Sequence, residues 1–453
     1  MTETLIKGAA QEGRLTAVQG TALYVGAVLG TGVIALPALA AEAAGPASLL
    51  AWIAMVVVSA PLAASFAALG ARFPDSGGVS TYARLAFGDR LAAVVGWCFY
   101  LAVPTGSSAA ALFGGAYVSE ALGGSTATTV ATAVGLMAAV TVSNAAGVKM
   151  AGRFQLAFVG LLVVLLLLAL ALSLPHARAA NFQPFAPHGW SAIGPAAALL
   201  VWSFAGWEAI THLAAEFRRP ARTVPLAAGL AVVIVGVLYV SVAFAVIAVL
   251  GPGAADTEAP LGELMARGLG GQARLLAAGA ALLLTLGAMN AYYAGAAKLG
   301  AALGRDGALP AWLARGSVVG EVPRRSLCVV SVLGFAALFA TVLTHTGTRP
   351  LVLLTTGSFV AVYAVGVAAA IRLLPRRSKG RAASFAALAA VLVLLAMSGG
   401  YLLWPLAVSA AALLYVGWRR RRAPRDGPPA APTDGPSAAR PATPDVVEAT
   451  EVM

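Results

Sequence analysis

The segment Val28-Leu-Gly-Thr-Gly-Val-Ile-Ala-Leu-Pro37 places two glycines around a threonine in the middle of an apolar run from 16 to 41. At about 1.5 Å per residue that run is long enough to cross a bilayer as a helix. A crossing helix must satisfy its own backbone, because hydrocarbon offers no hydrogen bonds and each orphan group costs several kcal/mol. Gly30-Thr31-Gly32 is therefore a flaw unless the opened backbone lines a cavity inside protein. Five apolar runs later, Val201-Trp-Ser-Phe-Ala-Gly-Trp-Glu208 shows a second interruption around Gly206. Corresponding interruptions in two halves of a membrane chain mark a transporter's binding site.

The surrounding composition agrees with that setting. The chain of 453 residues is 60% hydrophobic and 11% charged, with a mean hydropathy of +0.85, which excludes an ordinary soluble domain. Its apolar runs are continuous rather than alternating, so the expected fold is an all-α polytopic membrane protein and not a barrel. Twelve crossings are expected: 16–41, 46–71, 91–118, 126–147, 154–174, 192–215, 224–250, 270–300, 326–345, 351–373, 382–398 and 400–418. With twelve, both termini share one side. Of the 30 Lys and Arg, 26 then fall on that side, and only Arg178, Arg267, Arg274 and Arg349 on the other. That bias puts both termini in the cytoplasm. The net charge of +12 is thus a matter of topology, with some attraction to anionic lipid, and not a nucleic-acid footprint.

Three stretches divide the chain: a cytoplasmic N-terminus (1–15), a transmembrane domain (16–418) and a Pro/Ala-rich cytoplasmic tail (419–453) expected to be disordered. Lys7 and Arg14 precede an apolar run too long for a cleaved signal peptide. Cys98 and Cys328 lie in apolar runs, so neither a disulfide nor a metal site is indicated, and nothing calls for a cofactor.

The chemistry of the paired breaks follows from helix ends. The first crossing climbs to its break and leaves carbonyls there, and beyond Gly32 a new half-helix presents free N–H groups and a positive dipole end. The sixth crossing, descending, offers carbonyls at Phe204 and Ala205 and N–H groups after Gly206. Such a cavity suits a zwitterion, with the α-carboxylate on the amides of Thr31, Gly32 and Val33 and the α-ammonium on carbonyls near Val28 and Phe204. The competing account is close helix packing, since Gly26 and Gly30 have small-xxx-small spacing.

Glu208 is the one carboxylate clearly inside a crossing, and His212 follows one turn later on the same face. The pair either passes a proton toward the cytoplasm or ties the helix to its neighbours. With few other interior charges, a neutral, mainly apolar amino acid fits best, walled by Trp202, Trp207, Met289 and Tyr292. A cation paired with Glu208 is the alternative. Thr355-Thr-Gly-Ser358 offers hydroxyls at bilayer depth, Ser358 among the candidate contacts, although such groups often bond their own helix. The eighth crossing has only Thr285 where sodium would need paired hydroxyls, which argues against sodium coupling.

In order along the chain, Val28 to Pro37, Phe73-Pro-Asp-Ser-Gly-Gly78 with Tyr82, Phe204 to Glu208 with Glu216 and Pro220, and Arg305-Asp-Gly-Ala-Leu-Pro310 with Val322-Pro323 resemble the amino acid–polyamine–organocation (APC) superfamily. The resemblance implies the leucine-transporter fold: a 5+5 inverted repeat (about 16–174 and 192–373) with discontinuous crossings 1 and 6, followed by crossings 11 and 12 at 382–418. Glu208-Ala-Ile-Thr-His-Leu-Ala-Ala-Glu216 looks most like the bacterial exporters of methionine and branched-chain amino acids. That likeness implies substrate contacts at Gly30, Thr31, Gly32, Trp202, Phe204, Ala205 and Glu208, proton-coupled export, and a monomer or homodimer in the bacterial cytoplasmic membrane. Two positions depart from it: Ala297-Lys298 stands where Ser-Arg is usual, and Leu162 where some proton-coupled relatives carry lysine. An importer or exchanger with the same site is the nearest alternative. An intramembrane enzyme would need a nucleophile–base or metal constellation that the chain lacks. A nutrient sensor would more often carry a folded output domain than this tail.

Overall fold

Runs this apolar can satisfy their backbone only as helices. The computed structural model describes residues 15–73, 78–147, 152–208, 214, 217–315 and 322–422. Among them every regular element is a helix, and one isolated backbone pairing joins Leu15 to Phe217. The first half runs α1 (Ala17–Leu29), α2 (Gly32–Ala44), α3 (Ser48–Arg72), a short α4 (Gly78–Phe87), α5 (Asp89–Leu122), α6 (Thr126–Ala145) and α7 (Gly152–Ser173). The same order then starts again. α8 (Ile193–Leu200) passes into a 3₁₀ turn at Val201–Phe204, followed by α9 (Pro220–Leu250), a short α10 (Pro260–Leu269), α11 (Ala273–Asp306), α12 (Arg324–Thr344) and α13 (Arg349–Leu373). α14 (Lys379–Met397) and α15 (Leu403–Arg422) follow.

Ten of the described helical stretches are long and apolar enough to cross a membrane, with Gly32–Arg72 counted as one through its turn at Gly45. Two shorter apolar helices, Ala17–Leu29 and Trp190–Phe204, are the pieces that the sequence marks as broken. α5 is the internal post: 78% of its most apolar window is buried, against 22% for α6, so α6 faces lipid and α5 faces protein. Small residues let its neighbours close in. Leu303 of α11 packs on Gly96, and Tyr100 packs on Gly300.

Two elements differ from the sequence expectation. The turn-forming connection after Arg72 contains α4, which buries Val79, Tyr82, Ala83 and Ala86. The connection after α9 contains α10, which buries Leu261, Leu264 and Met265. Both are ten residues long and amphipathic, and they sit at opposite ends of the bundle. α4 meets Asp306, the last residue of α11, through Arg84, whereas α10 meets Arg274 near the start of α11 through Glu263. Boundaries shift as well. Pro220 opens α9 rather than holding the chain out of a helix, because a proline at the first turn gives up an N–H that has no partner anyway. Pro37 lies inside α2, and α15 continues through the arginine run to Arg422. The segment after α7 leans on the end of α2, with Pro187 against Gly45 and His188 Nδ1 3.1 Å from the Ala43 carbonyl.

Candidate substrate site

The first break opens where α1 stops at Leu29 and α2 starts at Gly32, with Thr31 in the cap position and no side chain capping the new helix. The second opens after Phe204, where Ala205 is extended and Gly206 adopts φ 125°. The two breaks face each other. A Cβ on Gly32 would fall 2.5 Å from Ser203 Oγ and 2.8 Å from Ser203 Cα. A Cβ on Gly206 would fall 2.9 Å from the Ala27 carbonyl oxygen, at a φ that side chains rarely adopt. Trp202 Nε1 donates to Thr31 Oγ1 across the gap at 3.4 Å.

A tyrosine from α9 knots the two carbonyl ends together. Tyr239 OH lies 2.7 Å from the Val28 carbonyl, 2.8 Å from the Ser203 carbonyl and 3.4 Å from that of Leu29. A phenol carries one proton, so it can satisfy only one of these acceptors fully. On the other side of the second break, Glu208 Oε2 accepts from the Gly206 N–H (3.0 Å) and from Tyr363 OH of α13 (2.7 Å). The carboxylate turns back onto its own break and is 1% exposed, so it is built into the backbone there rather than left facing lipid.

The remaining candidates divide. Val28, Thr31, Gly32, Val33, Phe204, Ala205 and Gly206 are buried at or beside the breaks, and Gly30 joins α1 to α2. Trp202 sits among Thr31, the edge of Phe113 (centroids 6.2 Å apart) and Gly106, with Thr355 on the same small space. Trp207 lies at a tilt against Tyr24 of α1, the ring centroids 6.0 Å apart. Tyr292 is within electrostatic reach of Glu208 and Tyr363. Met289 is buried in α11. Ser358 spends its hydroxyl on the Leu354 carbonyl of its own helix (3.1 Å). His212 lies outside the described residues. Ser203, given no role within the second interruption, and Tyr239, Tyr363 and Thr105, unmarked in the sequence, belong to the site; Thr105 bonds Thr355 of the expected hydroxyl cluster at 2.7 Å. A lone tyrosine inside an aliphatic crossing was the signal available for two of them.

In this conformation the breaks are shut on each other. Ser203 Oγ is buried, without a hydrogen-bond partner, against Gly32. Two small cavities flank the site. One, of about 20 Å³, is lined by Ile34, Tyr117 and Leu162, and the other, of about 10 Å³, by Ser59, Val201, Phe204 and Tyr363. Either has room for about one water and neither for an amino acid. Among the described residues no group of three or more His, Cys, Asp or Glu is placed to hold a metal.

A helical membrane bundle in which two interrupted segments, at Gly30 and Gly206, meet each other has the form of a solute carrier. Comparison with known sequences narrows it: the amino acid permease family profile matches residues 15–439, and the chain belongs to that family, within the APC superfamily. Its relatives include the uncharacterized amino acid permease YecA of Bacillus subtilis, 35% identical over 89% of this chain and 95% of that one. The L-methionine/branched-chain amino acid exporter YjeH of Escherichia coli is 35% identical over 49% of this chain and 53% of its own length. The branched-chain amino acid permease BcaP of Bacillus subtilis is 27% identical over 65% and 68%. These relatives are named as permeases or exporters, and the chain is a multi-pass membrane protein of the amino acid permease family.

Proposed function

We propose that this permease is a secondary transporter that moves neutral, mainly apolar L-amino acids (methionine, leucine, isoleucine and valine) outward in exchange for protons. The observation that carries the proposal is the pair of opposed breaks, because together they bring an uncapped helix start and two helix-end carbonyls into one small space. The substrate carboxylate takes the amides of Thr31, Gly32 and Val33 at the positive end of α2. The ammonium takes the Val28 and Ser203 carbonyls, which a single Tyr239 proton cannot both satisfy. Trp202, Met289 and Tyr292 wall the side chain. The exporter among the relatives supports the direction and the side-chain class.

Proton coupling is assigned to Glu208. A protonated carboxyl loses acceptor capacity, and that capacity holds the Gly206 N–H and Tyr363 in place. Protonation therefore loosens the second break itself, and His212 then carries the proton on toward the cytoplasm. The repeated element order, with α4 and α10 at opposite ends, supports twelve crossings arranged as a 5+5 inverted repeat, and the arginine-rich end is taken as cytoplasmic. Alternating access follows from rocking crossings 1, 2, 6 and 7 against the rest.

An importer or exchanger is the second reading, left open by the two relatives named permeases with no direction stated. Purified protein in vesicles loaded with labelled methionine or leucine separates the two. Efflux accelerated by an inward proton gradient is expected. Gradient-independent exchange would favour the second reading, and no flux of any amino acid would remove both.

A further inference from the structure

The last turn of α15 holds Arg419, Arg420, Arg421 and Arg422, all exposed. Two of the four are anchored to the bundle. Arg420 reaches Asp89 at the start of α5 (3.4 Å), and Asp89 also lies 3.5 Å from Arg84, which pairs at 2.5 Å with Asp306 at the end of α11. The Arg419 guanidinium lies directly against Gly307, the left-handed residue that ends α11. A ladder of rings runs alongside. Trp97 Nε1 donates to the Ala308 carbonyl (2.7 Å), Trp97 packs on Tyr415 (5.9 Å) and Tyr415 on Trp418 (6.1 Å). The Arg422 guanidinium caps the ladder, 4.4 Å above the ring of Trp418, which is 50% exposed.

Among the described residues, this end of the bundle gathers Arg84, Arg90 and the α15 quartet around Asp89 and Asp306, and both aspartates already serve Arg84 and Arg420. The surplus positive charge sits where a crossing leaves the membrane, beside a half-exposed tryptophan. That is the level of lipid headgroups, where tryptophan rings settle. Arginine presents a planar fork that suits phosphate oxygens. We propose that Trp418, Arg421 and Arg422 form a docking surface for anionic phospholipid headgroups, and that the bound lipid stiffens the scaffold end built from α5, α11 and α15. The rival occupant is the chain itself, since residues 423–453 carry five acidic side chains against two basic ones.

The test uses full-length protein in nanodiscs of phosphatidylcholine, with or without phosphatidylglycerol, reading the thermal midpoint and the phosphatidylglycerol retained per protein by native mass spectrometry. Phosphatidylglycerol is expected to raise the midpoint and to remain bound. The double substitution Arg421→Gln with Arg422→Gln should weaken retention by on the order of tenfold to thirtyfold, and the corresponding lysine pair should keep much of it. Arg349→Gln, at the opposite end, should change nothing, and truncation after Arg422 should preserve or strengthen binding. Equal midpoints in both lipids, or retention unchanged in the double variant, would overturn the proposal. So would a phosphatidylglycerol effect that appears only after truncation, which would assign the surface in the full chain to the tail.

Discussion

Glu208 and Tyr239 hold the two breaks by different means, and single substitutions separate their roles. Gln at position 208 keeps an acceptor for the Gly206 N–H and Tyr363 OH but cannot titrate. Glu208→Gln should therefore leave methionine binding in place while flux loses its dependence on an imposed pH gradient. Retained pH dependence would take Glu208 out of the coupling. Tyr239→Phe leaves buried carbonyls of Val28 and Ser203 without their donor, which costs about 1–3 kcal/mol. A lowered thermal midpoint is expected, and added methionine should restore part of it, because the ammonium can replace the missing proton. Full stability in the variant without ligand would show that the knot contributes nothing. Neither tyrosine partner could be assigned from sequence. A lone phenol in an aliphatic run names no acceptor, and its contacts, Tyr239 to Val28 and Tyr363 to Glu208, span 211 and 155 positions.

At the scale of elements, the broken helices were legible because Gly30-Thr31-Gly32 and the matching stretch around Gly206 implied opened backbone, which only a protein-lined cavity can hold, whereas α4 and α10 were not. Ten residues are too few for a hydropathy window, and Gly77-Gly78 reads as a turn until the apolar face of Val79–Ala86 is seen to be covered, as is that of Leu261–Met265 in α10. Gly206→Ala tests the second break: its φ of 125° and the Ala27 oxygen 2.9 Å from the new Cβ leave the methyl no place. Transport should be abolished, with a lower thermal midpoint, while Gly229→Ala, with open space around it, should be neutral in both assays. α10 is tied down differently. Burial pushes the Glu263 carboxyl up, but hydrogen bonds from Arg274 and Arg267, together with their charges, outweigh it and hold the group below the usual carboxylate range. A carboxylate depressed in the folded state stabilises above its unfolded value, about 4.3, and loses that contribution as pH falls through the folded value. The thermal midpoint should therefore drop more steeply in acid for the wild type than for Glu263→Gln, and parallel acid profiles would contradict it.

Across the whole molecule, the long helices α5 and α11 pack together and the two broken segments meet each other within the bundle. The sequence conveyed the helical membrane plan through the lengths of its apolar runs, but not the state in which it rests. Closure depends on contacts such as Gly32 with Ser203 and Trp202 with Thr31, which no local pattern encodes. In this shut conformation the site has to open before an amino acid enters, so binding should be slow relative to diffusion and should raise the thermal midpoint. The central claim, that bare backbone at the two breaks grips both ends of one small dipolar molecule, is tested most directly by competition against labelled L-methionine with N-acetyl-methionine, methionine methyl ester and the unmodified amino acid. Blocking either end should cost at least roughly tenfold in affinity, about 1.4 kcal/mol. If either blocked analogue competes as well as methionine, that end is not held by the breaks and the account is wrong.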